Sequence, residues 1–371
     1  MTPSPVVAID CRLMHYRKAG ITQYTRHLVR ALRASREGEG RGDDAPRLCI
    51  LLDRRDTDTA WLPAGVGVIR TVTPAHHRYE HLTLPLELAP RRIGALHSPD
   101  FITARGRFRK VITVHDLHFM EHPEALDAAG LRYYGRIAWS VRCADHIIAV
   151  SRFTRDEILR LLPATPPDKI TVIHEAPTLQ SEIPQSKLQT PKSKIGPYAL
   201  FVGTFEPRKN LVTLLAALAA WRDMPDDFRL VIAGEQGWAG GDPARLAADL
   251  GLSARIRFAG RVSDAELDSL YRGARVFVFP SLCEGFGLPV LDAMQRGAPV
   301  ICSNAGALPE VAGEAALFHD PLDADALAGL LRRVWRDEAL RARHIQLGLA
   351  RARQFSWQQA AQATWRVYGM G

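Results

Sequence analysis

A stretch apolar enough to cross a bilayer is the first thing missing from these 371 residues. The most apolar run, "LVTLLAALAAW" at Leu211–Trp221, falls well short of the roughly 18 residues a spanning helix needs. The N-terminus, "MTPSPVVAID", has neither a basic region nor an apolar core, so it does not read as a secretory leader. Cysteine is scarce as well. Five residues (Cys11, Cys49, Cys143, Cys283 and Cys302) lie far apart without a CxxC pair. That excludes a disulfide framework and leaves reduced, buried thiols. The expectation from these absences is a cytoplasmic protein, free or peripheral at the inner face of the plasma membrane.

Nucleic-acid signatures are missing too: there is no RNP box, zinc finger or basic zipper. Yet the chain is basic, with a formal charge of +8. The excess is uneven. Residues 1–180 carry 26 Lys and Arg against 20 Asp and Glu, a net of +6, and the remainder carries 22 against 20, a net of +2. "PRR" at Pro90–Arg92 and "RGRFRK" at Arg105–Lys110 contribute to it. Such surface suits anionic lipid or a phosphorylated substrate; ordinary solubilising charge explains it equally well.

What is present is alternation. Short β-branched runs ("VVAIDCRL", "RLCILLD", "VGVIRTV", "IGALHSP", "KVITVHDL", "HIIAVS", "ITVIHEA") are separated by segments of mostly helical pattern. Near-continuous apolar strands between helices indicate a parallel sheet covered on both faces. The pattern breaks at the polar, Pro-containing stretch Ala176–Pro197, and then resumes with "YALFVGT", "FRLVIAG", "IRFAGRV", "VFVFPS", "PVICS" and "ALFHD". Too long for a single core, the chain reads as α/β with two doubly wound, Rossmann-like domains. The expected boundaries are 1–180, a linker at 181–197, 198–354, and a C-terminal helix at 355–371 crossing back to the first domain. Ligands of such sheets sit at the carboxyl ends of the strands, and a two-domain version places them in the cleft.

Four constellations could carry chemistry. In "SLCEGFGLPVLDAM", Glu284 follows a strand, Gly285 and Gly287 permit a tight turn, and Pro289 suits the first helical position. Asp292 is expected in the first turn of that helix, where dipole complementation is the plainer explanation of an acid. In "VGTFEPRKNL", Arg208 and Lys209 stand between a strand ending at Thr204 and a helix starting near Asn210, a place to hold a diphosphate. His115 ends the strand of "KVITVHDL"; a lone histidine is more often structural. His118 and His122 at helical spacing lack the carboxylate or cysteine set that would complete a metal site. Gly20 follows the first strand and opens a helix, but without GxGxxG there is no dinucleotide fingerprint. "DTD" at Asp56–Asp58 matches a metal-binding pattern literally and reads as a surface loop.

Taken in order, "HDLHFMEHP", "ADHIIAVSRFT", "DKITVIHEAP", "VGTFEPRKNL" and "EGFGLPVLDAM" resemble the retaining glycosyltransferases of the GT-B, family-4 type, over nearly all the chain from Gly20 onward. The resemblance implies a GT-B fold, with residues 1–180 as the acceptor-binding domain and 198–354 as the nucleotide-sugar-binding domain, and transfer of a sugar from a nucleotide-diphosphate donor to a glycan or polyprenyl-diphosphate-linked acceptor in cell-surface polysaccharide synthesis. GDP-mannose is the leading donor, ahead of UDP-glucose and UDP-N-acetylglucosamine. Retention is implied, with no metal or other cofactor required. It further implies that Gly20 contacts the donor diphosphate and His115 the transferred sugar. Lys209, with Arg208 beside it, binds the diphosphate. Glu284 holds sugar hydroxyls with the backbone of Gly285, Phe286 and Gly287. Leu288 supports the base end, Val262 lends it a backbone contact, and Asp292 takes the ribose. Three positions depart from the family pattern: Asp292 is one methylene shorter than the usual glutamate, Thr204 replaces a phosphate-binding arginine, and Thr22 replaces a second glycine. A nucleotide-sugar epimerase or phosphorylase of the same architecture, and a non-catalytic transferase-like subunit, are the alternatives.

Overall fold

The computed structural model describes residues 6–16, 20–36, 47–126, 128–179, 196–235 and 242–369. They form two compact units. One comprises the chain up to Glu175 together with Ser356–Gly371, the other Ala176–Phe355. Apart from residues 196–197, the linker expected at 181–197 lies outside the described residues.

The first unit is built on seven parallel strands: β1 (Val6–Asp10), β2 (Arg47–Asp53), β3 (Gly67–Thr71), β4 (Ile93–Ser98), β5 (Arg109–Val114), β6 (His146–Ala149) and β7 (Ile170–Val172). Their order is β3-β2-β1-β4-β5-β6-β7. The central strands are apolar without alternation and are buried on both faces: Val7, Ala8 and Ile9 of β1 and Ile50, Leu51 and Leu52 of β2 are all inaccessible to solvent. Parallel sheets demand such runs, since helices cover both sides. The winding direction reverses between β1 and β4, and this switch point opens a crevice outside their carboxyl ends.

The helix Trp357–Tyr368 completes this unit. Ser356 caps it by accepting from Gln358 and Gln359. Its buried Trp365 donates to the carbonyl of Leu32, at the end of the helix Gly20–Ala34. Tyr368 bonds Nδ1 of His97 at 2.7 Å, and the other nitrogen of His97 meets Thr113 at 2.8 Å. Burial holds the His97 pKa down at about 3, so this network stays neutral. Trp365→Ala is expected to cost about 3–5 kcal/mol through cavity formation, measurable as an earlier unfolding transition of the full chain.

The second unit repeats the plan with six parallel strands: β8 (Tyr198–Val202), β9 (Arg229–Ala233), β10 (Ile256–Gly260), β11 (Val276–Phe279), β12 (Val300–Ser303) and β13 (Ala316–His319). The order β10-β9-β8-β11-β12-β13 puts its switch point between β8 and β11. Fully buried Phe201, Leu214, Leu215, Phe228, Ile232 and Leu331 belong to the core on one side of this sheet. At the ends of β8 and β9 two glycines allow backbones to touch: a Cβ on Gly234 would lie 1.9 Å from the carbonyl oxygen of Gly203. Among the described residues, no helix is long and apolar enough to cross a membrane.

Candidate functional site

Both loops at the second unit's switch point carry candidate residues. The chain leaving β8 runs through Thr204 to a single turn, Pro207–Lys209. Asn210 then adopts a left-handed conformation (φ 56°) and opens the helix Leu211–Ala220. The chain leaving β11 runs through Ser281 to Glu284 and the helix Leu288–Gln295. Asn210 ties the loops together, donating to the carbonyls of Pro280 at 2.9 Å and Pro321 at 2.6 Å. The N–H of Leu282 adds a bond to the carbonyl of Arg208 at 2.7 Å.

The pairing is electrostatic as well as mechanical. Lys209 Nζ lies 2.6 Å from Glu284 Oε1, and an Arg208 Nη lies 3.2 Å from Glu284 Oε2. Both members of the Lys209–Glu284 pair are buried, which makes each dependent on the other. Burial works to raise the Glu284 pKa, but the charges of Lys209 and Arg208 carry it below the ordinary glutamate value. Burial and the neighbouring Arg208 push Lys209 downward, against the pull of Glu284. Lys209 also stands 5.0 Å from the centre of the Phe279 ring. Arg208 is shared with Glu206, whose carboxylate also accepts from Thr204. Two cations thus meet two carboxylates, a balanced set that an incoming anion can re-pair.

The remaining candidates of this unit are spread around that pair. Gly287 is left-handed (φ 109°) and caps the helix, with Leu288 and Pro289 opening it. Phe286 is buried, its ring edge-on to Phe355 at 5.8 Å. Val262 is half-buried in the loop after β10, the sheet's outermost strand on that side.

For Asp292 the structure corrects the expectation. It is not in the first helical turn, which holds no acidic residue, but further along the helix and buried. Its oxygens accept from the Thr178 N–H at 2.6 Å, the Thr178 hydroxyl at 2.7 Å and the Leu179 N–H at 3.3 Å. Burial raises its pKa in spite of these bonds. One turn on, Arg296 donates to the Leu179 carbonyl at 2.7 Å. Helix Leu288–Gln295 and Arg296 therefore clamp residues 178–179, and these residues take up most of the acceptor capacity of the Asp292 carboxylate.

In the first unit, Gly20 is exposed and begins the 15-residue helix Gly20–Ala34, and a Cβ there would meet nothing within 4 Å. His115 follows β5. Its Nδ1 faces Glu175 Oε1 at 2.9 Å and its Nε2 faces the Pro99 carbonyl at 2.9 Å. Both partners only accept, so the arrangement favours an imidazolium donating from each nitrogen. Burial opposes that charge, yet the Glu175 contact and the Pro99 carbonyl prevail and the pKa is raised. A histidine raised on folding contributes stability below its unfolded value, and that contribution is lost as pH climbs through the folded value. Glu175→Gln should lower the His115 pKa followed by NMR. The stability gap between this variant and wild type should then narrow with rising pH.

The rings of His118 and His122 lie tilted with centroids 4.4 Å apart, and His122 is bonded to Glu124. Among the described residues no group of three or more metal-ligating side chains occurs. Asp56 and Asp58 lie in the loop after β2, where Asp58 is exposed 3.8 Å from Arg26.

Sequence reasoning missed Gly306. Left-handed at φ 62°, it packs so tightly that a Cβ would lie 2.5 Å from the Glu284 carbonyl oxygen and 2.7 Å from its nitrogen. The next residue, Ala307, donates to that carbonyl at 2.8 Å. "SNAGALPE" carries no signal for this beyond the glycine itself.

Residues 19–176 match the family described as Glycosyltransferase Family 4, and residues 182–350 match Glycosyl transferases group 1. The O-antigen chain mannosyltransferase B of Escherichia coli is 33% identical, covering 95% of this chain and 96% of its own. The chain belongs to the family-4 glycosyltransferases. A second relative, the MMP alpha-(1->4)-mannosyltransferase of Mycolicibacterium hassiacum, is 33% identical over 64% of this chain and 57% of its own. Among solved structures, sucrose-phosphate synthase of Thermosynechococcus elongatus aligns with a TM-score of 0.77 at 23% identity, covering 99% of this chain and 98% of that one. Anabaena HepE, solved with UDP and glucose, aligns at 0.69 and 18% identity over 99% of both chains. These likenesses make the glycosyltransferase GT-B in fold.

Proposed function

We propose that this glycosyltransferase moves mannose from GDP-mannose to a glycan or lipid-linked acceptor in cell-surface polysaccharide synthesis, with retention at the anomeric carbon. The observation that carries the reading is the buried Lys209–Glu284 pair with Arg208 beside it, at the switch point of the second sheet. A donor diphosphate arriving there takes Lys209 and Arg208, and Glu284, released from them, accepts from hydroxyls of the sugar. The cations then stabilise the leaving diphosphate as the glycosidic bond breaks. The acceptor hydroxyl attacks from the leaving-group face, and a phosphate oxygen takes its proton. Gly20 and the N–H groups that open its helix suit the diphosphate, and His115, as an imidazolium, suits a hydroxyl of the sugar. Mannose is favoured because both curated relatives described above are named mannosyltransferases.

With two side-chain cations at the diphosphate, the reading needs no metal, so transfer should survive excess EDTA. Peripheral attachment belongs to the same reading. The helix Glu80–Leu88 exposes Leu82 and Leu86 (51% and 74%) near exposed Arg78, Arg91 and Arg92, a combination suited to an anionic leaflet. The deciding experiment incubates the full chain with GDP-mannose and a polyprenyl-diphosphate-linked acceptor, and follows GDP release and the anomeric configuration of the product by NMR. Acceptor-dependent GDP release with an α-linked product supports the reading. Release independent of acceptor, or a β-linked product, overturns it.

A further inference from the structure

The loops that carry Lys209 and Glu284 are braced by two further loops of the same unit, those after β12 and β13. In the order β8-β11-β12-β13, the last of these lies two strands beyond the Glu284 loop, and Asn210 reaches it. The Asn210 amide nitrogen donates to the carbonyls of Pro280 and Pro321, 70 and 111 residues away. Its oxygen accepts from the Thr213 hydroxyl at 2.8 Å. A flipped amide would set its oxygen against two carbonyl oxygens, so the orientation is fixed.

The far anchor is itself held. Asp320 accepts from the Leu322 N–H at 2.8 Å with its side chain, and from His319 Nδ1 at 2.6 Å with its carbonyl. Burial lowers the His319 pKa, and a carbonyl only accepts, so the neutral ring keeps its proton on Nδ1. The His319 carbonyl accepts from the Asn304 N–H at 2.9 Å. Ala307, in the same loop after β12, donates to the Glu284 carbonyl at 2.8 Å. Hydrogen bonds thus run from the residue beside Lys209 through the loops after β13 and β12 and back to Glu284.

Residue type at position 210 answers two demands at once. The backbone is left-handed at φ 56° directly after Lys209, a conformation that glycine takes freely and asparagine tolerates better than most residues. The position is also buried, at 7% exposure, with two carbonyls to satisfy. Glycine meets only the first demand; asparagine meets both. We propose that Asn210 is a positioning residue: by bonding the loops after β11 and β13 together, it presets the spacing at which Lys209 and Glu284 take a diphosphate and its sugar. Such a site needs no loop ordering when the donor arrives, which is where preorganisation contributes affinity. The proposal rests on the transferase reading and extends it from the groups that hold the donor to one that sets their geometry.

The test uses the full chain. Asn210→Gly keeps the turn and removes the bonds. GDP-mannose and guanosine are titrated by calorimetry below the melting temperature, and the Glu284 carboxyl is followed by NMR. Asn210→Gly should weaken GDP-mannose by about tenfold with guanosine unchanged. The Glu284 pKa should rise, because the cations that hold it down have moved away. Loss of a merely structural amide would lower the melting temperature and move neither quantity. An earlier transition with donor affinity and Glu284 pKa both at their wild-type values therefore overturns the proposal, as does an equal loss for guanosine. If Asn210→Gly does not fold, Thr213→Val decides, since it only releases the amide oxygen: GDP-mannose weakened about threefold supports the proposal, and wild-type affinity overturns it. Failure of GDP-mannose to bind wild type overturns the transferase reading itself, and this proposal with it.

Discussion

Glu284→Gln is expected to reduce sugar transfer by about a hundredfold or more. A carboxylate gripping two hydroxyls contributes about 1.5–3 kcal/mol for each bond, so losing the charge costs at least about 3 kcal/mol. The amide keeps the side chain's shape, which isolates charge from packing. It also takes away the charge of the partner 2.6 Å from Lys209, and a buried cation without a counter-charge is destabilising. The variant should therefore melt earlier than wild type as well. Transfer measured at a temperature where both proteins are folded separates the two effects; activity within about twofold of wild type there would exclude Glu284 from the donor site.

Gly306→Ala should have the second largest effect, although residue 306 carries no functional group. An added Cβ meets the backbone of Glu284 at 2.5 and 2.7 Å, and backbone cannot rotate away as a side chain can. The left-handed φ of 62° adds strain of about 1–2 kcal/mol for any residue with a Cβ. Relief requires the Glu284 loop to shift, and a misplacement of about 1 Å near reacting groups can cost on the order of a hundredfold in rate. Loss of donor affinity together with a lower melting temperature is the expected result. Gly20→Ala supplies the contrast, since its Cβ meets nothing within 4 Å. It should leave stability nearly unchanged and affect activity only through the approach of the donor phosphates.

The architecture was legible in the sequence because strands buried on both faces must be written as unbroken apolar runs. The thirteen strands described coincide with the runs that alternation picks out, β5 alone starting one residue earlier, at Arg109. Local order also marked Lys209 and Glu284, since each closely follows a strand end. Their pairing was not legible, because it depends on β8 and β11 lying side by side although 75 residues separate the two side chains. For Asp292 the miss was one of place: it was expected in the first helical turn, but it lies further along the helix and is buried, where Thr178 and Leu179, 114 and 113 residues away, donate to its carboxylate. Glu175 and Pro99, which set the protonation of His115, are likewise invisible to local patterns, being 60 and 16 residues distant.

If the Arg208–Lys209–Glu284 cluster binds the diphosphate-sugar portion of a nucleotide sugar, removing one of its cations must weaken the donor and spare the nucleoside. Calorimetric titration of GDP-mannose into wild type and into Lys209→Met measures this, with GDP and guanosine as comparison ligands. Binding of GDP-mannose and GDP by wild type, weakened by about tenfold or more in Lys209→Met, with guanosine weak and equal in both proteins, is the predicted result. Equal affinity of wild type and variant for GDP-mannose would contradict it.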